Sequence, residues 1–529
     1  VHRTRESLEY ATALLKTGDP TRRRRALDIV RTVLPMQEKD PSAPWCGVWP
    51  YYPEDPLRGR RAAVDYNWAD FIAVPLLDVL INHADDAGDA LTADIRRALI
   101  LAAEAIRRRD VQPDYTNICI MGAYVCYLVG DLCGLPDMTE YARKRLRCFH
   151  DYTLRNGGFI EYNSPTYTLV AMDELLRMKQ AISRPDDRRM VDELYAMTWD
   201  LIARHFHRPS GQWCGPNLRA YGNLADPAYY RLLYNASGGR IDLPGDYPRI
   251  PDVMKPHRIP ENLLQKFTQP VLPRLEIDTF VTASPPEKSI VGKLYAGRTF
   301  ALASVNQGYL WNQTRPLIAH WGTPERPSYL RVRFLHDGYD FAAANIACIQ
   351  DSTSVLAIFN VALDGGDTHP GLDRIRNASI DARDLRLRIE AGGDLSGAQF
   401  ILPKDASGVA VFTSPAVSAD IRIPYAGWDG YAGRWERLDE AETVNIDYVL
   451  YAGEERTFRL DEMQEAVAGL CLSMYGEQDG GNRRPAADVT AKIENTYLTL
   501  SNGRMTIKAP AKPDREAEIR RDYETAYKQ

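Results

Sequence analysis

The chain has 529 residues, of which 45% are hydrophobic and 26% are charged, with a net charge of −6 and a pI of about 5.9. This composition is typical of a folded globular protein and excludes a fibre or a disordered chain. The acidic balance argues against nucleic acid as the main partner. No apolar run reaches the roughly 18 residues that a membrane span requires. The length predicts two or three domains.

The sequence leaves the cellular compartment open. The chain opens at Val1 without the basic and apolar regions of a signal peptide, so we expect that such a peptide is absent or has been removed. The eight cysteines form no CxxC pair and no zinc-type spacing, and free thiols favour a reducing compartment. Three glycosylation sequons favour secretion. We expect a soluble protein that is either secreted or cytoplasmic.

Residues from about 4 to 240 place apolar side chains at helical spacing. Short loops between helices of similar length favour antiparallel hairpins. The pattern therefore predicts an incomplete α/α toroid whose loops frame a cleft at one rim. The expected helices lie near 4–17, 21–34, 66–83, 90–109, 116–133, 137–153, 165–182 and 188–206.

Beyond a Pro-rich stretch the apolar period changes to two, and β-branched and aromatic residues become frequent. This pattern predicts an antiparallel β-sandwich and, overall, an α+β multidomain protein. The expected parts are an α/α toroid at 1–245 that carries most of the cleft, a Pro-rich linker at 246–275, the sandwich at 276–465, and a smaller C-terminal β-sheet and tail at 466–529.

Segment 157–169 holds polar side chains on an irregular loop immediately before a predicted helix. It contains Glu161, Tyr162, Asn163 and Tyr167, and Ser164-Pro165 is a favourable helix start. Active sites are often built on such loops. An ordinary interhelical turn uses the same residue types, so both interpretations stay open.

Two longer loops are also rich in functional side chains. The first, within 35–65, crowds Trp45, Trp49 and Tyr52 where no helix can form; such rings either stack on sugar faces or plug the toroid rim. The second, within 207–225, carries Arg219 and Tyr221. The residues predicted to contact a sugar chain are Trp45, Trp49, Tyr52, Asn67, Trp68, Asn163, Trp213 and Asn217.

The sequence contains no signal for a cofactor. It has no P-loop, dinucleotide-binding glycine motif, GxSxG elbow, HExxH motif or EF-hand loop. His205 and His207 are two residues apart, which on a helix directs them to different faces and argues against a metal pair. We therefore expect neither a cofactor nor a metal.

Five short stretches, in order along the chain, carry a resemblance to a known family. Residues 67–75 begin Asn67-Trp68 and end in Pro75; 114–117 end in Asn117; 158–163 read Gly-Phe-Ile-Glu-Tyr-Asn; 165–168 read Pro-Thr-Tyr-Thr; and 215–219 end in Arg219. They resemble segments of the hyaluronate, chondroitin AC and xanthan lyases, with a weaker likeness to heparinase II/III-type enzymes. In that family the Asn of the second segment binds the uronate carboxylate, and the last segment corresponds to an arginine-bearing loop.

The resemblance implies a toroid followed by a β-sandwich, and β-elimination of a glycan that contains uronic acid. Two positions depart from the family pattern. The family's catalytic His corresponds to Tyr162, and its catalytic Tyr would fall near Met172. The base is therefore expected among Tyr162, Tyr167 and Tyr221, or is His320 of the β half. We favour Tyr167, because it lies in the first turn of a predicted helix.

β-Elimination from a uronate removes a weakly acidic proton next to a carboxylate, so the carboxylate charge must be neutralised as the reaction proceeds. Arg219 offers a bidentate fork and Asn117 an uncharged amide for this purpose. A tyrosine near an arginine can have a lowered pKa and act as base, then as acid. Plainer roles are a helix cap for Asn117 and a surface ion pair with Asp226 for Arg219.

Two other functions remain open. Toroids also host inverting glycoside hydrolases, and Glu161 with Asp114 or Asp70 would supply the carboxylate pair that they need. A carbohydrate-binding protein without turnover would keep the aromatic residues at 45–52 and tolerate the loss of the phenols. Under the first hypothesis the partner is an acidic oligo- or polysaccharide, with no nucleic acid and no membrane, and the oligomeric state stays open.

Overall fold

The computed structural model describes residues 2–60, 63–366, 375–478 and 488–527. In these residues a helical part extends to about residue 268, and antiparallel sheets follow from residue 274. The expected fold class, an incomplete toroid followed by a large antiparallel β-sandwich, is confirmed. Across the same ranges, no helix is both long and apolar enough to cross a membrane.

The eight predicted helices are all present, within a few residues of their expected bounds. Consecutive helices pack in pairs, the odd-numbered helices pack on one another in order, and α2 and α6 pack on α4 and α8 respectively. This arrangement gives an inner layer of odd-numbered helices and an outer layer of even-numbered ones. The bounds are α1 Thr4–Lys16, α2 Pro20–Val33, α3 Trp68–Asn82, α4 Ala84–Arg109, α5 Thr116–Leu132, α6 Pro136–Asn156, α7 Tyr167–Ala181 and α8 Pro185–His205.

Local sequence explains where these helices begin and end. The carboxylate of Asp19 accepts a hydrogen bond from the Arg22 backbone N–H and caps α2, which has a proline at its first position. Gly157 ends α6 at φ +75, and a Cβ there would lie 2.8 Å from the Thr279 carbonyl oxygen. The last turn of α6 therefore lies directly against the β half.

The region between the toroid and the sandwich contains more regular structure than its composition predicts. It holds a small sheet of β1 Phe206–His207 and β2 Gln212–Trp213, helix α9 Pro227–Ala236 and helix α10 Glu261–Thr268. Helix α10 lies within the Pro-rich stretch at 246–275. It buries Leu263, Leu264 and Phe267 on the helical core, so this stretch is packed onto the toroid rather than extended as a spacer.

Two large antiparallel sheets enclose the main β core, as far as the described residues extend. The first has the strand order β16-β17-β12-β8-β7-β5-β4-β3, with β9 paired to β8, and the second the order β13-β14-β15-β18-β11-β10-β6. The strands of the first sheet are β3 Arg274–Val281, β4 Ile290–Ala296, β5 Phe300–Val305, β7 Leu317–Thr323, β8 Arg326–His336, β9 Tyr339–Asp340, β12 Ser379–Gly393, β16 Arg434–Asp439 and β17 Thr443–Arg459. Those of the second are β6 Gln307–Tyr309, β10 Ala344–Asp351, β11 Ser354–Val361, β13 Gln399–Ile401, β14 Val409–Thr413, β15 Val417–Trp428 and β18 Ala466–Gly476.

A smaller sheet covers the outer face of the second large sheet. Its order is β19-β20-β21-β22, and a short helix, α11 Glu516–Arg521, precedes its last strand. The strands are β19 Thr490–Glu494, β20 Tyr497–Ser501, β21 Met505–Pro510 and β22 Glu524–Tyr527.

Strand β18 lies beyond the expected end of the sandwich at residue 465, yet it pairs between β15 and β11 in the middle of the second large sheet. Its first nine residues are all buried. Alternate side chains face opposite sides of a strand. Thus Leu470 and Leu472 face the sandwich core, whereas Val467 and Cys471 face the small C-terminal sheet. The sandwich therefore continues into the region that we assigned to the C-terminal unit.

Candidate active site

Loops from both halves of the protein meet beside the first turns of α5 and α7. The α6–α7 connection, 157–166, packs on residues 214–223, where the Leu218 N–H donates to the Tyr162 carbonyl at 3.1 Å. Residues 311–316 of the β half continue this arrangement, because the Ala220 N–H donates to the Gln313 carbonyl at 2.8 Å. Three loops with mutually bonded backbones therefore form the floor of the site.

Asn163 holds the first two loops together. Its backbone has φ +47, a left-handed conformation that Asn adopts more readily than most residues. Its side-chain amide donates to the carbonyls of Cys214 and Pro216 at 2.8 and 2.9 Å. Trp213 Nε1 donates to Asn163 Oδ1, and Asn217 Nδ2 donates to the Asn163 carbonyl at 2.7 Å. Three of the eight predicted sugar contacts, Asn163, Trp213 and Asn217, are thus buried, with the last two each bonded to Asn163, which places them in the floor below the cleft.

Arg219 is the centre of the polar group above this floor. Its Nη2 donates to Tyr167 Oη at 3.1 Å, its Nε donates to Gln313 Oε1 at 2.9 Å, and its Nη1 lies 3.5 Å from Glu161 Oε1. The guanidinium carbon lies 4.7 Å from the ring centre of Tyr167 and 5.3 Å from that of Trp311. The side chain keeps 27% of its surface exposed. A fixed cation is therefore presented at the edge of the cleft.

Tyr167 and Tyr221 form a hydroxyl pair next to this cation. The two Oη atoms are 2.8 Å apart, and Tyr221 is 59% exposed whereas Tyr167 is half-buried. Ser164 Oγ accepts the Tyr167 backbone N–H at 2.9 Å and fixes the start of α7. Burial and the hydrogen bond with Tyr221 raise the pKa of Tyr167, and the nearby Arg219 only partly opposes this rise. The expected net lowering of the pKa of Tyr167 is wrong, because desolvation outweighs the effect of Arg219.

Glu161 is the buried acid of the group. Burial raises the pKa of its carboxyl to about 7, although Arg219 and a hydrogen bond from the Asn117 backbone N–H both favour the ionised form. Its Oε2 atom has no hydrogen-bond partner among the described residues, and neither has Oδ1 of Asn117. Glu161 therefore lies at the N-terminus of α5, in a setting where burial favours its protonated form.

The two plainer roles for Asn117 and Arg219 do not agree with the geometry. Tyr115 occupies the capping position of α5, and Asn117 is already the second residue of the helix. Asp226 caps α9 by accepting the Tyr229 N–H at 3.0 Å. Asn117 is therefore not a helix cap, and the ion pair of Arg219 is made with Glu161 instead.

The other carboxylates near the site differ in exposure. Asp114, the charged neighbour that also raises the pKa of Glu161, is exposed. Asp70 is buried in the first turn of α3, where Arg109 and Arg145 are its main charged neighbours. In the part of the chain that the structure describes, no group of three or more His, Cys, Asp or Glu side chains is arranged to hold a metal ion.

Two of the predicted bases lie outside the group around Arg219. Tyr162 is buried between the halves, where its ring stacks on Phe280 at 4.4 Å between ring centres. His320 is also buried, and its Nε2 bonds to the Asn223 carbonyl at 2.9 Å. Burial lowers the pKa of His320 to about 4. Packing therefore occupies both side chains, and His320 lies beneath the cleft loop instead of facing the cleft.

The aromatic residues at 45–52 and the start of α3 pack chiefly on the helical core. Trp49 is fully buried and donates its Nε1 to the Val33 carbonyl at 3.2 Å, while Trp45 is half-buried. The ring of Tyr51 stacks on buried Trp68 at 4.7 Å. Most of this loop therefore plugs the toroid.

Tyr52 and Asn67 are the partly exposed members of this aromatic region. Asn67 Nδ2 donates to Tyr115 Oη at 3.1 Å, and Asn67 Oδ1 accepts from Arg109. The Tyr52 ring lies beside Tyr51, with 4.4 Å between ring centres. Of the eight predicted sugar contacts, these two and half-buried Trp45 are the ones that retain exposed surface.

Two residues of the site are not among those predicted from the sequence. Gln313 fixes the guanidinium of Arg219, and Trp311 lies beneath it. Both come from the turn between β6 and β7. The sequence signal for them is the aromatic–amide turn at 311–313, which overlaps a glycosylation sequon at 312–314.

Asp70 gives a prediction about stability. Burial raises the pKa of Asp70 from 3.8 to about 7, so folding takes up a proton in the window between these values. The stability of the wild-type protein therefore falls as pH rises through this window. We expect Asp70→Asn to raise the free energy of unfolding at pH 8 by on the order of 2–4 kcal/mol, and to change it little at pH 4. Urea titrations at both pH values measure this.

The matched control for this prediction is Asp89→Asn, which replaces an exposed carboxylate in the neighbouring helix. It should leave the free energy of unfolding within about 0.5 kcal/mol of wild type at either pH. A gain from Asp70→Asn that is equal at pH 4 and pH 8 would contradict a pH-linked origin.

Comparisons with known proteins give limited similarity. A family model described as a domain of unknown function, DUF8769, matches residues 1–232, which is the helical half. No curated protein matches the chain. Among solved structures, the chain is similar to a heparinase III at 8% identity and a TM-score of 0.41, covering 99% of this chain and 82% of the other. It is similar to a chondroitin lyase that is a baculovirus envelope protein at 9% identity and a TM-score of 0.21, covering 92% and 90%. Both TM-scores lie below 0.5, so the architecture is defined by the helices and strands of this chain itself.

Proposed function

We propose that the protein is a polysaccharide lyase that cleaves a uronic-acid-containing glycan by β-elimination. The observation that carries this proposal is the convergence on Arg219 of the Tyr167–Tyr221 hydroxyl pair and the carboxyl of Glu161. A base, a cation and a protonatable acid within contact of one another are what removal of a proton next to a carboxylate requires.

The cation and the acid would act on the substrate carboxylate. Arg219 supplies a planar fork that suits a carboxylate, and Gln313 holds this fork in orientation. A protonated Glu161 would donate a further hydrogen bond from its unpartnered oxygen as negative charge develops. Asn117 binds the Glu161 carboxylate through its backbone N–H and adds a side-chain amide next to it. These groups would stabilise the enolate form of the uronate.

The hydroxyl pair would move the proton. Tyr167 Oη, when ionised, takes the proton from the carbon next to the carboxylate. A double bond then forms between this carbon and its neighbour as the bond from the neighbour to the leaving oxygen breaks, and Tyr167 returns the proton to that oxygen. Because the pKa of Tyr167 is raised, its ionised fraction at neutral pH is small. Tyr221 connects the buried hydroxyl to solvent, since its own side chain is largely exposed.

This scheme predicts how activity depends on pH. As pH rises, the ionised fraction of Tyr167 grows tenfold per unit, but above pH 7 the protonated fraction of Glu161 falls by the same factor. The kcat/KM of the wild type should therefore rise up to about pH 7 and then level off. Glu161→Gln, which keeps a neutral donor at every pH, should continue to rise above pH 7. Initial rates at pH 5–10 measure this, and a break near pH 7 that persists in Glu161→Gln contradicts the role of Glu161.

A second candidate, an inverting glycoside hydrolase, is favoured by one observation. A carboxyl group with a pKa of about 7 is suited to protonate a leaving group, and Glu161 is such a group with Asp114 as its acidic neighbour. The hydrolase needs an attacking water, and it leaves no double bond in the product.

One experiment separates these functions. The protein is incubated with a panel of uronate-containing polysaccharides and neutral glycans, and ultraviolet absorbance and reducing ends are followed together. A lyase generates both signals from an acidic polymer. Reducing ends alone indicate the hydrolase, and neither signal with any member of the panel overturns both enzymatic proposals in favour of a binding protein.

A further inference from the structure

A cavity of about 310 Å³ lies on the inner face of the toroid, between α1, α3, α5 and α7. One wall is apolar, formed by Phe71, Val74 and Met121 together with Met254 from the stretch that precedes α10. None of the side chains grouped around Arg219 lines it. We call this cavity the bore.

The bore continues the cleft along the helix axes. Phe71 follows Asn67 by four residues, Met121 follows Asn117 by four, and Glu174 follows Tyr167 by seven. Residues at these spacings share one face of a helix, one or two turns apart. At about 5.4 Å per turn, the lining of the bore begins about one helical turn below Asn67 and Asn117 and about two turns below Tyr167.

The other wall of the bore is lined by charged side chains. Four cationic side chains line it against three acidic ones: Arg5, Lys16, Arg177 and Lys255 against Glu9, Asp78 and Glu174. Burial also raises the pKa of Glu174, which disfavours its negative charge. Arg5 is paired with Glu9, and Lys255 is paired with Asp173 next to the bore. Lys16 and Arg177 are therefore the cations of this wall that remain for a ligand.

Two of these cations are only partly engaged. Lys16 Nζ lies 3.8 Å from Asp78 Oδ1, beyond hydrogen-bond distance, and its side chain is 25% exposed. Arg177 contacts Glu174 through Nη1, its side chain is 30% exposed, and a guanidinium carries five N–H donors. Glu174 Oε2 has no hydrogen-bond partner among the described residues. The wall can therefore bind a carboxylate and an adjacent hydroxyl without breaking its existing pairs.

We propose that the bore is a binding site for one uronate unit, with the carboxylate on Lys16 and Arg177 and the ring face on Val74 and Met121. The naming of a uronate rests on the function proposed above. A saccharide that enters the bore by its end would present its next linkage at the cleft, so the enzyme would act from a chain end. The depth of the bore would then set the number of sugar units in the released product.

The test uses isothermal titration of D-glucuronate and D-glucose into the full chain. We expect one D-glucuronate to bind, with D-glucose at least tenfold weaker because it lacks the carboxylate. Lys16→Gln should weaken D-glucuronate binding roughly tenfold, as expected for the loss of one charge-assisted hydrogen bond. Lys144→Gln, which replaces an exposed lysine on α6, should leave binding unchanged.

A second variant tests the buried part of the bore. Glu174→Gln combined with Arg177→Gln removes both members of the buried pair, so no unpaired charge remains. It should weaken D-glucuronate binding at least tenfold while the thermal midpoint stays close to that of wild type. Equal binding of both sugars, no binding of D-glucuronate, or binding that only Arg219→Lys weakens would each overturn the proposal.

Failure of the bore and failure of the lyase give different results. If D-glucuronate binding depends on Lys16 but no polymer yields an ultraviolet-absorbing product, the binding site in the bore is supported and the lyase activity is contradicted. If the first turnovers release long ultraviolet-absorbing fragments and D-glucuronate does not bind, the lyase activity is supported and the binding site in the bore is contradicted.

Discussion

Tyr167→Phe is expected to lower kcat about 10²- to 10⁴-fold, the range usually lost with a group that transfers a proton in the transition state. The variant lacks the oxygen that contacts both Arg219 and Tyr221 but keeps the ring that packs under the guanidinium. KM and the thermal midpoint should therefore change little. Steady-state rates of ultraviolet product formation on the best acidic polymer measure the effect.

Tyr162→Phe is the matched control for this variant. It removes a phenol oxygen five residues earlier, on the loop that precedes α7, from a ring that is buried against Phe280. Its kcat should remain within a few-fold of the wild-type value when normalised to folded protein. If Tyr167→Phe retains near-wild-type kcat, Tyr167 is not the proton-transfer residue, and a loss confined to Tyr162→Phe would place the chemistry elsewhere.

Arg219→Lys should lower kcat/KM about 10²- to 10³-fold, although the positive charge is kept. Lysine provides a point charge where Arg219 now contacts Tyr167, Gln313 and Glu161 through separate nitrogens. A lysine ammonium cannot contact Tyr167, Gln313 and Glu161 together, and it cannot bind a carboxylate through two parallel hydrogen bonds. Kinetics on the polymer used for Tyr167→Phe measure this.

The control for this substitution is Arg240→Lys. Arg240 makes a two-nitrogen pair with the Glu261 carboxylate on the surface, at 2.7 and 2.9 Å. Losing that geometry should leave kcat/KM unchanged, since the pair is exposed and remote from the cleft loops. An Arg219→Lys enzyme as active as Arg240→Lys would show that a point charge suffices and that the fork plays no part.

The helical half was predictable because its information is local. The apolar spacing, the prolines at first helical positions and Gly157 all act within one or two turns, and α1 to α8 appear near the expected places. Strand β18 was harder to assign, because its continuous burial depends on a further sheet packing on its outer face. A strand that is covered on both faces loses the alternation that marks a strand on the surface.

The site was predictable in its loops and less so in its chemistry. The structure brings the predicted residues Glu161, Tyr167 and Arg219 into contact, and the loop of the first two was recognisable because polar residues before a rigid helix are a local pattern. Gln313 lies 94 residues from Arg219, so no local pattern connects them. The direction of the Tyr167 pKa shift depends on how deeply the phenol is packed, and only the packed chain determines that.

The guanidinium of Arg219 is held by an amide from the β half and by a phenol and a carboxyl group from the helical half. A small tilt of the sandwich against the toroid would move Gln313 while each hydrophobic core stayed intact. The protonation of Glu161 would then shift, since the opposing charge of Arg219 would have moved. The ionisation of a single acid would thus report on how tightly the helical half and the β half are docked.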